Sequence, residues 1–252
     1  MPPNSTHRKG YQRPLNSLAS SSQSSDTPTL KVVSANVPEV AVSKDLELLK
    51  ELVNSIIHAM GILFGIVAVP LLTTLAVRSN NIHAITGACI YGFTFLMVFS
   101  FSTSYHGFQQ PRVKKVLEIL DHISIYFFIA GTYTPLIFVY LNNTKGMVML
   151  TVLWGLTLAG IFFKVCFGCR FNILSTIAYL LMGWMLVWTG GDFFRTMPSQ
   201  IIAFILLGGV LYTTGVVFYL WEKLTWHHAI WHLFALGGAI CHYVAVLMTV
   251  SG

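Results

Sequence analysis

Seven long apolar stretches, separated by short polar segments, make up most of the chain. Each is close to the ~20 residues that an α-helix needs to cross the hydrocarbon core of a bilayer. Lipid offers no partner to an unpaired backbone group, and stretches this long exclude the strands of a barrel. The pattern therefore predicts an all-α membrane protein, folded as a seven-transmembrane helical bundle. The predicted spans are about 53–77, 84–106, 121–141, 146–166, 171–190, 199–220 and 228–250.

The residues before the first span have a different pattern. Residues 1–42 are rich in Ser and Pro and contain no continuous apolar run, which predicts a disordered tail. Residues 43–52 mix charged and leucine positions, which predicts a short amphipathic helix lying on the membrane. Residues 53–252 then form the predicted transmembrane domain.

Composition agrees with a membrane location. Hydrophobic residues make up 55% of the chain and charged residues 10%, with a mean hydropathy of +0.69. Soluble domains usually carry about 25% charged residues. The net charge of +6 does not predict nucleic-acid binding, because Lys and Arg are scattered through loops and the tail. We therefore expect an integral, multi-pass membrane protein with no nucleic-acid partner.

The distribution of Lys and Arg predicts the orientation. If the N-terminus is cytoplasmic, the opposite side holds only Arg78, Lys145 and Arg195 of the 15 Lys and Arg residues. Basic residues concentrate on the cytoplasmic side of membrane proteins. The N-terminus is therefore predicted to be cytoplasmic and the C-terminus to lie on the opposite side.

One face of the first span carries both polar residues and glycines. Glu51, Asn54, His58, Gly61 and Gly65 follow one another at intervals of three or four, so they share a helix face. We interpret Gly61 and Gly65 as a site of close helix packing. The three polar residues are interpreted as a supporting polar seam.

Further polar residues occur near the ends of three other spans. Ser102 and His106 close the second span, Asp121 opens the third, and His228 and His232 open the seventh. In the predicted orientation all of these positions lie in the cytoplasmic half. Ionisable groups inside a membrane are costly and are functional candidates by default. Their common depth on separate helices predicts a single site.

The histidines of this set have the spacing of a metal site. His228 and His232, at i and i+4, can bind one ion from a single helix face, with His106 as a third ligand and a position open for water. Asp121 would orient that water, and Ser102 would contact a substrate carbonyl. The residue pattern alone leaves another interpretation open, in which Asp121 is a helix N-cap, Ser102 bonds its own helix and each histidine is a packing residue.

Other potentially reactive residues fit structural roles better. Cys166 and Cys169 form a lone C-x-x-C without the second pair that a zinc ribbon needs. Four further histidines are interpreted as loop, interfacial or packing residues: His83, His122, His227 and His242.

Four motifs together resemble a known family. They are Glu51-x-x-Asn54-x-x-x-His58, Ser102-x-x-x-His106, Leu120-Asp121-His122-x-x-Ile125 and His228-Ala229-Ile230-Trp231-His232-Leu233-Phe234. In this order they resemble the hemolysin III branch of the progestin and adipoQ receptor family, which is related to adiponectin receptors. The resemblance implies seven helices with a cytoplasmic N-terminus and a Zn²⁺ ion bound by His106, His228 and His232. It also implies that Asp121 holds the water at the zinc, with Ser102 beside it.

The resemblance implies more than one activity. The adiponectin receptor branch is associated with hydrolysis of ceramide amides, so we expect a zinc-dependent hydrolase acting on an amide or ester of a membrane lipid. The hemolysin III branch is named for pore formation, and other relatives bind steroids or act in signalling. In a pore or a receptor the zinc would have a structural role. A pore would require a homo-oligomer, because no span repeats a charged face. A proton-coupled transporter is disfavoured, since the outer half lacks charged residues along a path.

Overall fold

The computed structural model describes residues 39–168, 170–189 and 191–252. Within these ranges the chain is helical and contains no strand, which confirms the predicted all-α membrane bundle. Residues 1–38 of the predicted tail lie outside the described residues. The helices are α1 (Glu39–Arg78), α2 (Ile82–Gly107), α3 (Pro111–Tyr140), α4 (Thr144–Phe167), α5 (Asn172–Gly183), α6 (Met185–Thr189), α7 (Gly191–Thr196), α8 (Ser199–Tyr219) and α9 (His227–Ser251).

The first helix joins two segments that the sequence pattern separates. Helix α1 begins at Glu39 and continues to Arg78, so the predicted surface helix 43–52 and the predicted span 53–77 belong to one helix. No glycine or proline interrupts the chain between residues 43 and 60. Without such a residue nothing ends the helix at the point where its composition changes.

The short polar separators supply signals that begin the next helix. The Asn81 side chain accepts the backbone N–H of His83 at the start of α2, and the Asn143 side chain accepts that of Gly146 at the start of α4. Pro111 is the first residue of α3, where its missing N–H costs nothing. The predicted spans 84–106 and 146–166 agree with α2 and α4 to within two residues, whereas α3 begins at Pro111, ten residues before its predicted span 121–141, because the helix starts ahead of its apolar part.

Six helices of the described residues are long and apolar enough to cross a membrane: α1 from Ser43, α2, α3, α4, α8 and α9. This count differs from the seven predicted. The fifth predicted span, 171–190, is divided between α5 and α6 at Trp184. The Tyr133 hydroxyl of α3 donates to the Gly183 carbonyl at 2.6 Å and accepts the Leu186 N–H at 3.0 Å. A side chain of a neighbouring helix therefore satisfies the backbone groups at the break, which the apolar pattern does not register.

Helix α3 is the centre of the bundle. Of its most apolar 18 residues, 67% are buried, compared with 22–44% in the other five long helices. It packs against α2, α4, α5 and α9. The outer helices instead present apolar side chains outward, as at Val67 and Phe162, which are 72% and 70% exposed. Such side chains form a surface that lipid can cover.

The predicted close packing of α1 is confirmed. A Cβ atom added at Gly61 would overlap the ring of Phe99, and one added at Gly65 would lie 2.7 Å from a methyl carbon of Leu96. Only glycine allows α1 to approach α2 this closely. This contact brings the polar end of α1 beside the polar end of α2.

Candidate metal centre

Four helices bring polar side chains together at one end of the bundle. Helix α1 contributes Asn54 and His58, α2 contributes Ser102 and His106, α3 contributes Asp121 and α9 contributes His232, and each of these residues is between 3% and 8% exposed. Spacings of three, four or seven residues keep the contributions of one helix on one face. Groups that are separate in the sequence therefore form one buried cluster.

His106 has a partner at each ring nitrogen. Its Nδ1 atom lies 2.7 Å from Oε2 of Glu51, and its Nε2 atom lies 3.1 Å from Nε2 of His232. The other carboxylate oxygen of Glu51 lies 2.9 Å from Nζ of Lys114. Because a carboxylate only accepts hydrogen bonds, the Nδ1–H of His106 donates to Glu51. A neutral His106 then turns the lone pair of its Nε2 atom toward His232.

His58 extends the cluster into α1. Its Nε2 atom lies 2.8 Å from Nδ1 of His232, while its Nδ1 atom is buried without a hydrogen-bond partner among the described residues. One ligand nitrogen from each of His58, His106 and His232 lies within 4.8 Å of the other two. Three imidazoles converging in this way form a cluster that can hold a metal ion.

His228 lies beside this cluster. Its ring centroid is 4.4 Å from that of His232 and 5.4 Å from that of His106. The three histidines predicted as ligands are therefore neighbours, but the converging nitrogens belong to His58, His106 and His232. The sequence interpretation placed His58 in the supporting seam. The sequence signal that could have placed His58 in the cluster is its position seven residues after Glu51, on the same helix face.

Asp121 and Ser102 are paired, as their common depth suggested. The Ser102 hydroxyl donates a hydrogen bond to Oδ1 of Asp121. The Ser124 hydroxyl donates to the Asp121 backbone carbonyl at 2.6 Å, within the same helix. Ser102 and Asp121 line one cavity together with His58 and with His228 and His232 of α9. This arrangement provides a carboxylate and a hydroxyl beside the histidines.

The histidines interpreted as structural have backbone or loop partners. Nδ1 of His122 donates to the Glu118 carbonyl at 2.7 Å, Nδ1 of His227 to that of Tyr219 at 3.0 Å, and Nε2 of His242 to that of Ile205 at 3.2 Å. His83 contacts the side chain of Asn142 across a loop, with 3.2 Å between nitrogens. Cys166 is a free, exposed thiol, whereas Cys169 of the C-x-x-C pair lies outside the described residues.

Two cavities meet at the cluster. The apolar cavity, of about 240 Å³, extends between α3, α5, α8 and α9, and its wall includes Phe128, Leu180 and Val216 besides the site residues. The polar vestibule, of about 250 Å³, lies at the end of α1 and beside the segment that connects α8 to α9. Tyr105 and His228 line both spaces. The cluster therefore lies between an apolar compartment and a polar one.

The fold and the cluster define a class: a multi-span, all-α membrane protein with a buried group of histidines that can bind metal. The family model described as "Haemolysin-III related" matches residues 46–243, and the chain belongs to that family. This confirms the resemblance found in the four motifs.

Individual relatives extend over most of the chain. It is 37% identical over 201 residues to "Hemolysin-3" of Bacillus cereus, covering 80% of this chain and 92% of the relative. It is 38% identical over 198 residues to "Hemolysin-3 homolog" of Bacillus subtilis, covering 79% and 93%. The human "Monocyte to macrophage differentiation factor" is 28% identical over 199 residues, covering 77% and 81%.

Proposed function

We propose that this protein is a zinc-dependent hydrolase that cleaves an amide or ester of a membrane lipid. The observation that carries the proposal is the buried histidine cluster, which opens on an apolar cavity at one end of the membrane helices. A lipid's carbonyl lies at the boundary between headgroup and hydrocarbon, and we place the polar ends of these helices at a comparable depth. By the distribution of Lys and Arg, this end faces the cytoplasm.

The separation of two of the donor atoms fits a zinc ion. Two nitrogens that are each about 2.0–2.1 Å from one tetrahedral zinc lie about 3.3 Å apart. The Nε2 atoms of His106 and His232 are separated by 3.1 Å. Glu51 accepts the hydrogen bond of the other His106 nitrogen, the arrangement that commonly orients a zinc-binding histidine.

The contact between His58 and His232 distinguishes two ligand sets. Since His232 offers Nε2 toward His106, its Nδ1 atom is left for His58. His58 then acts as an outer partner of His232, as Glu51 does for His106, and His228 completes the set of three ligands. In the alternative set, His58 itself is the third ligand. We favour the first because it gives two ligands an outer partner.

The chain's own groups then have distinct roles. When bound, zinc supplies Lewis acidity that polarises a carbonyl and makes water more acidic. Asp121 accepts a proton from the attacking water, whose oxygen forms a bond to the carbonyl carbon. Asp121 returns that proton to the leaving nitrogen or oxygen as its bond to the carbon breaks. Ser102 orients the Asp121 carboxylate, and the apolar cavity holds the acyl chain.

We also propose that α5 and α6 together make a seventh, interrupted crossing. The Tyr179 hydroxyl donates to the His122 carbonyl near the start of α3, and Gly183 and Leu186 bond to Tyr133 further along it. Later residues of α5 and α6 therefore contact later residues of α3, so α5 and α6 run parallel to α3. An odd number of crossings leaves the two termini on opposite sides of the membrane.

The test is metal analysis combined with a lipid assay. Purified protein is expected to contain about one zinc per chain and to release fatty acid from a lipid amide or ester. Simultaneous substitution of His106, His228 and His232 by alanine should remove both properties, whereas His83→Ala, in the first turn of α2 and far from His106, should retain them. Full zinc retention by the triple variant would contradict the site assignment.

The name of the relative from Bacillus cereus, "Hemolysin-3", favours a second candidate, a pore that lyses cells. Dye leakage from vesicles containing the purified protein measures this activity. Leakage that continues after zinc is removed by a chelator would support the pore. Leakage no greater than that of empty vesicles, together with lipid hydrolysis, would support the hydrolase.

A further inference from the structure

The two compartments beside the histidine cluster have opposite chemical character. Most of the side chains around the apolar cavity are aromatic or aliphatic. The polar vestibule is bordered instead by charged residues, including Glu47, Lys50, Glu51 and Glu222. A substrate cleaved where the compartments meet has one product on each side of the broken bond. The two products should therefore differ in polarity in the same way as the compartments.

We propose that the substrate is a single-chain acyl amide whose leaving group is a small hydrophilic amine. This inference rests on the proposed hydrolase function and specifies its substrate class. The acyl chain occupies the apolar cavity, which extends from His232 to His242, ten residues or about 15 Å along α9. The amine occupies the polar vestibule. A leaving group with a long hydrocarbon chain, as in ceramide, would place that chain against charged side chains and lose its hydrophobic burial.

The charges of the vestibule also distinguish among small amines. Two of its carboxylates have cationic partners, because Glu47 contacts Lys50 at 2.7 Å and Glu51 contacts Lys114 at 2.9 Å. Glu222 is exposed and forms no ion pair with any residue that the structure describes. The uncompensated charge is therefore negative. It favours a leaving group that carries a second ammonium over a neutral one, and disfavours one that carries a carboxylate.

Water access agrees with this division. Residues 220–226, between α8 and α9, border the vestibule with Glu222, Leu224, Thr225 and Trp226. Glu222 and Thr225 are exposed. A polar amine can leave through this mouth to water, whereas the apolar product stays among the membrane helices. The same opening admits the water that hydrolysis consumes.

A matched series of palmitoyl amides tests the proposal. The probes are N-palmitoyl-1,3-diaminopropane, N-palmitoylethanolamine, N-palmitoylglycine and palmitoyl ceramide, which share the acyl chain and differ in the amine. With the zinc-loaded full-length protein, kcat/KM should fall in that order, with the ceramide at least tenfold below the ethanolamide. A ceramide rate equal to or above that of the ethanolamide, or a preference for the glycine amide over the diamine amide, would overturn the inference.

The Glu222→Gln variant isolates the charge. It should reduce the preference for the diamine amide over the ethanolamide by roughly two- to fivefold, the size of one exposed charge interaction. Lys223→Gln is the control, since Lys223 is the neighbouring exposed charge and does not line the vestibule. An unchanged preference in Glu222→Gln would contradict the assigned role of this carboxylate.

A binding measurement separates this inference from the proposed function. If no amide or ester is hydrolysed, the hydrolase proposal fails, and the compartments are then tested by binding of the intact amides. Fluorescence of Trp226, compared between wild type and Trp226→Phe, reports occupancy of the vestibule. Stronger binding of the diamine amide and ethanolamide than of ceramide supports the inference, and equal or stronger binding of ceramide refutes it.

Discussion

Two regions of the bundle bring buried polar groups together in different ways. At the histidine cluster, ionisable side chains from separate helices contact one another, as between Glu51 and His106. At the junction of α5 and α6, the Tyr133 hydroxyl contacts backbone groups of Gly183 and Leu186. The first arrangement presents nitrogen lone pairs to a ligand. The second uses a hydroxyl to satisfy the chain's own backbone groups.

The comparison indicates that buried polar groups serve function at the histidine cluster and serve stability at the junction of α5 and α6. Substitutions at the cluster should change metal binding or reaction rate. Substitutions at the junction should change stability while leaving the metal in place. Four comparisons test this separation, from the largest expected effect to the smallest.

The largest effect is expected from the histidine that completes the ligand set. His228→Ala should abolish tight zinc binding and lipid hydrolysis, because a three-histidine site would lose a ligand. His58→Ala should instead weaken zinc affinity by about 10- to 100-fold, the usual loss for an outer partner. Zinc titration against a competing chelator measures both, with His227→Ala as the matched control on α9. The reverse order of the two variants would make His58 the third ligand.

Asp121→Asn should separate chemistry from metal binding. The amide is close in size to the carboxylate and can still contact Ser102, but it does not accept the proton of the attacking water. Lipid hydrolysis should fall by about 10²- to 10⁴-fold, the range for removal of a general base. Zinc content, measured on the same preparation, should stay near one per chain. Loss of zinc in this variant would assign Asp121 to the metal instead of the proton transfer.

Tyr133→Phe addresses the second region. Removing the hydroxyl leaves the Gly183 carbonyl and the Leu186 N–H without their partner at the break between helices. We expect a loss of about 1–3 kcal/mol in the free energy of unfolding, since each buried group without a partner is costly. Zinc content should not change. Denaturation in detergent measures the stability, and zinc loss at full stability would place this junction in the metal site.

The control for that measurement is Thr86→Val. Thr86 is exposed, and its hydroxyl donates to the Ile82 carbonyl of its own helix at 2.8 Å. Its removal should change stability by less than about 0.5 kcal/mol, as for most surface substitutions. An equally large loss in Thr86→Val would mean that any lost hydroxyl destabilises the bundle, with no special role for Tyr133.

Most of the helices could be predicted from sequence because their signals are local. The predicted span 84–106 became Ile82–Gly107, and the predicted span 228–250 became His227–Ser251. Apolar length sets such spans, and residues such as Asn81 mark their starts. The break at Trp184 was missed because it depends on a hydroxyl from another helix, and every residue around it is ordinary in a membrane span.

The site was predictable to the extent that helical spacing and depth determine it. His106 and His232 were expected to meet because both lie at the same end of antiparallel spans, and their Nε2 atoms are 3.1 Å apart. The contact of His58 with His232 depends on which helix lies next to α1, and helical spacing does not specify that neighbour. Lys114 precedes the predicted third span, so the pattern gave it no role at the site, although it lies in α3 and bonds Glu51.

The smallest effect is expected from Lys114→Gln, which affects the cluster from its edge. Lys114 bonds the Glu51 oxygen that does not contact His106, and its side chain is 23% exposed. Because a partly exposed ion pair is worth about 0–1 kcal/mol, zinc affinity should fall by less than about fivefold. The control is Lys115→Gln, which removes a neighbouring charge without an ion pair to Glu51 among the described residues. A loss as large as that of His58→Ala would extend the zinc-orienting network beyond Glu51 to this lysine.

Chelator titrations at low and high salt distinguish a surface ion pair from a buried network at Lys114. The contribution of a screened surface pair to zinc affinity weakens with salt, whereas that of a buried network does not.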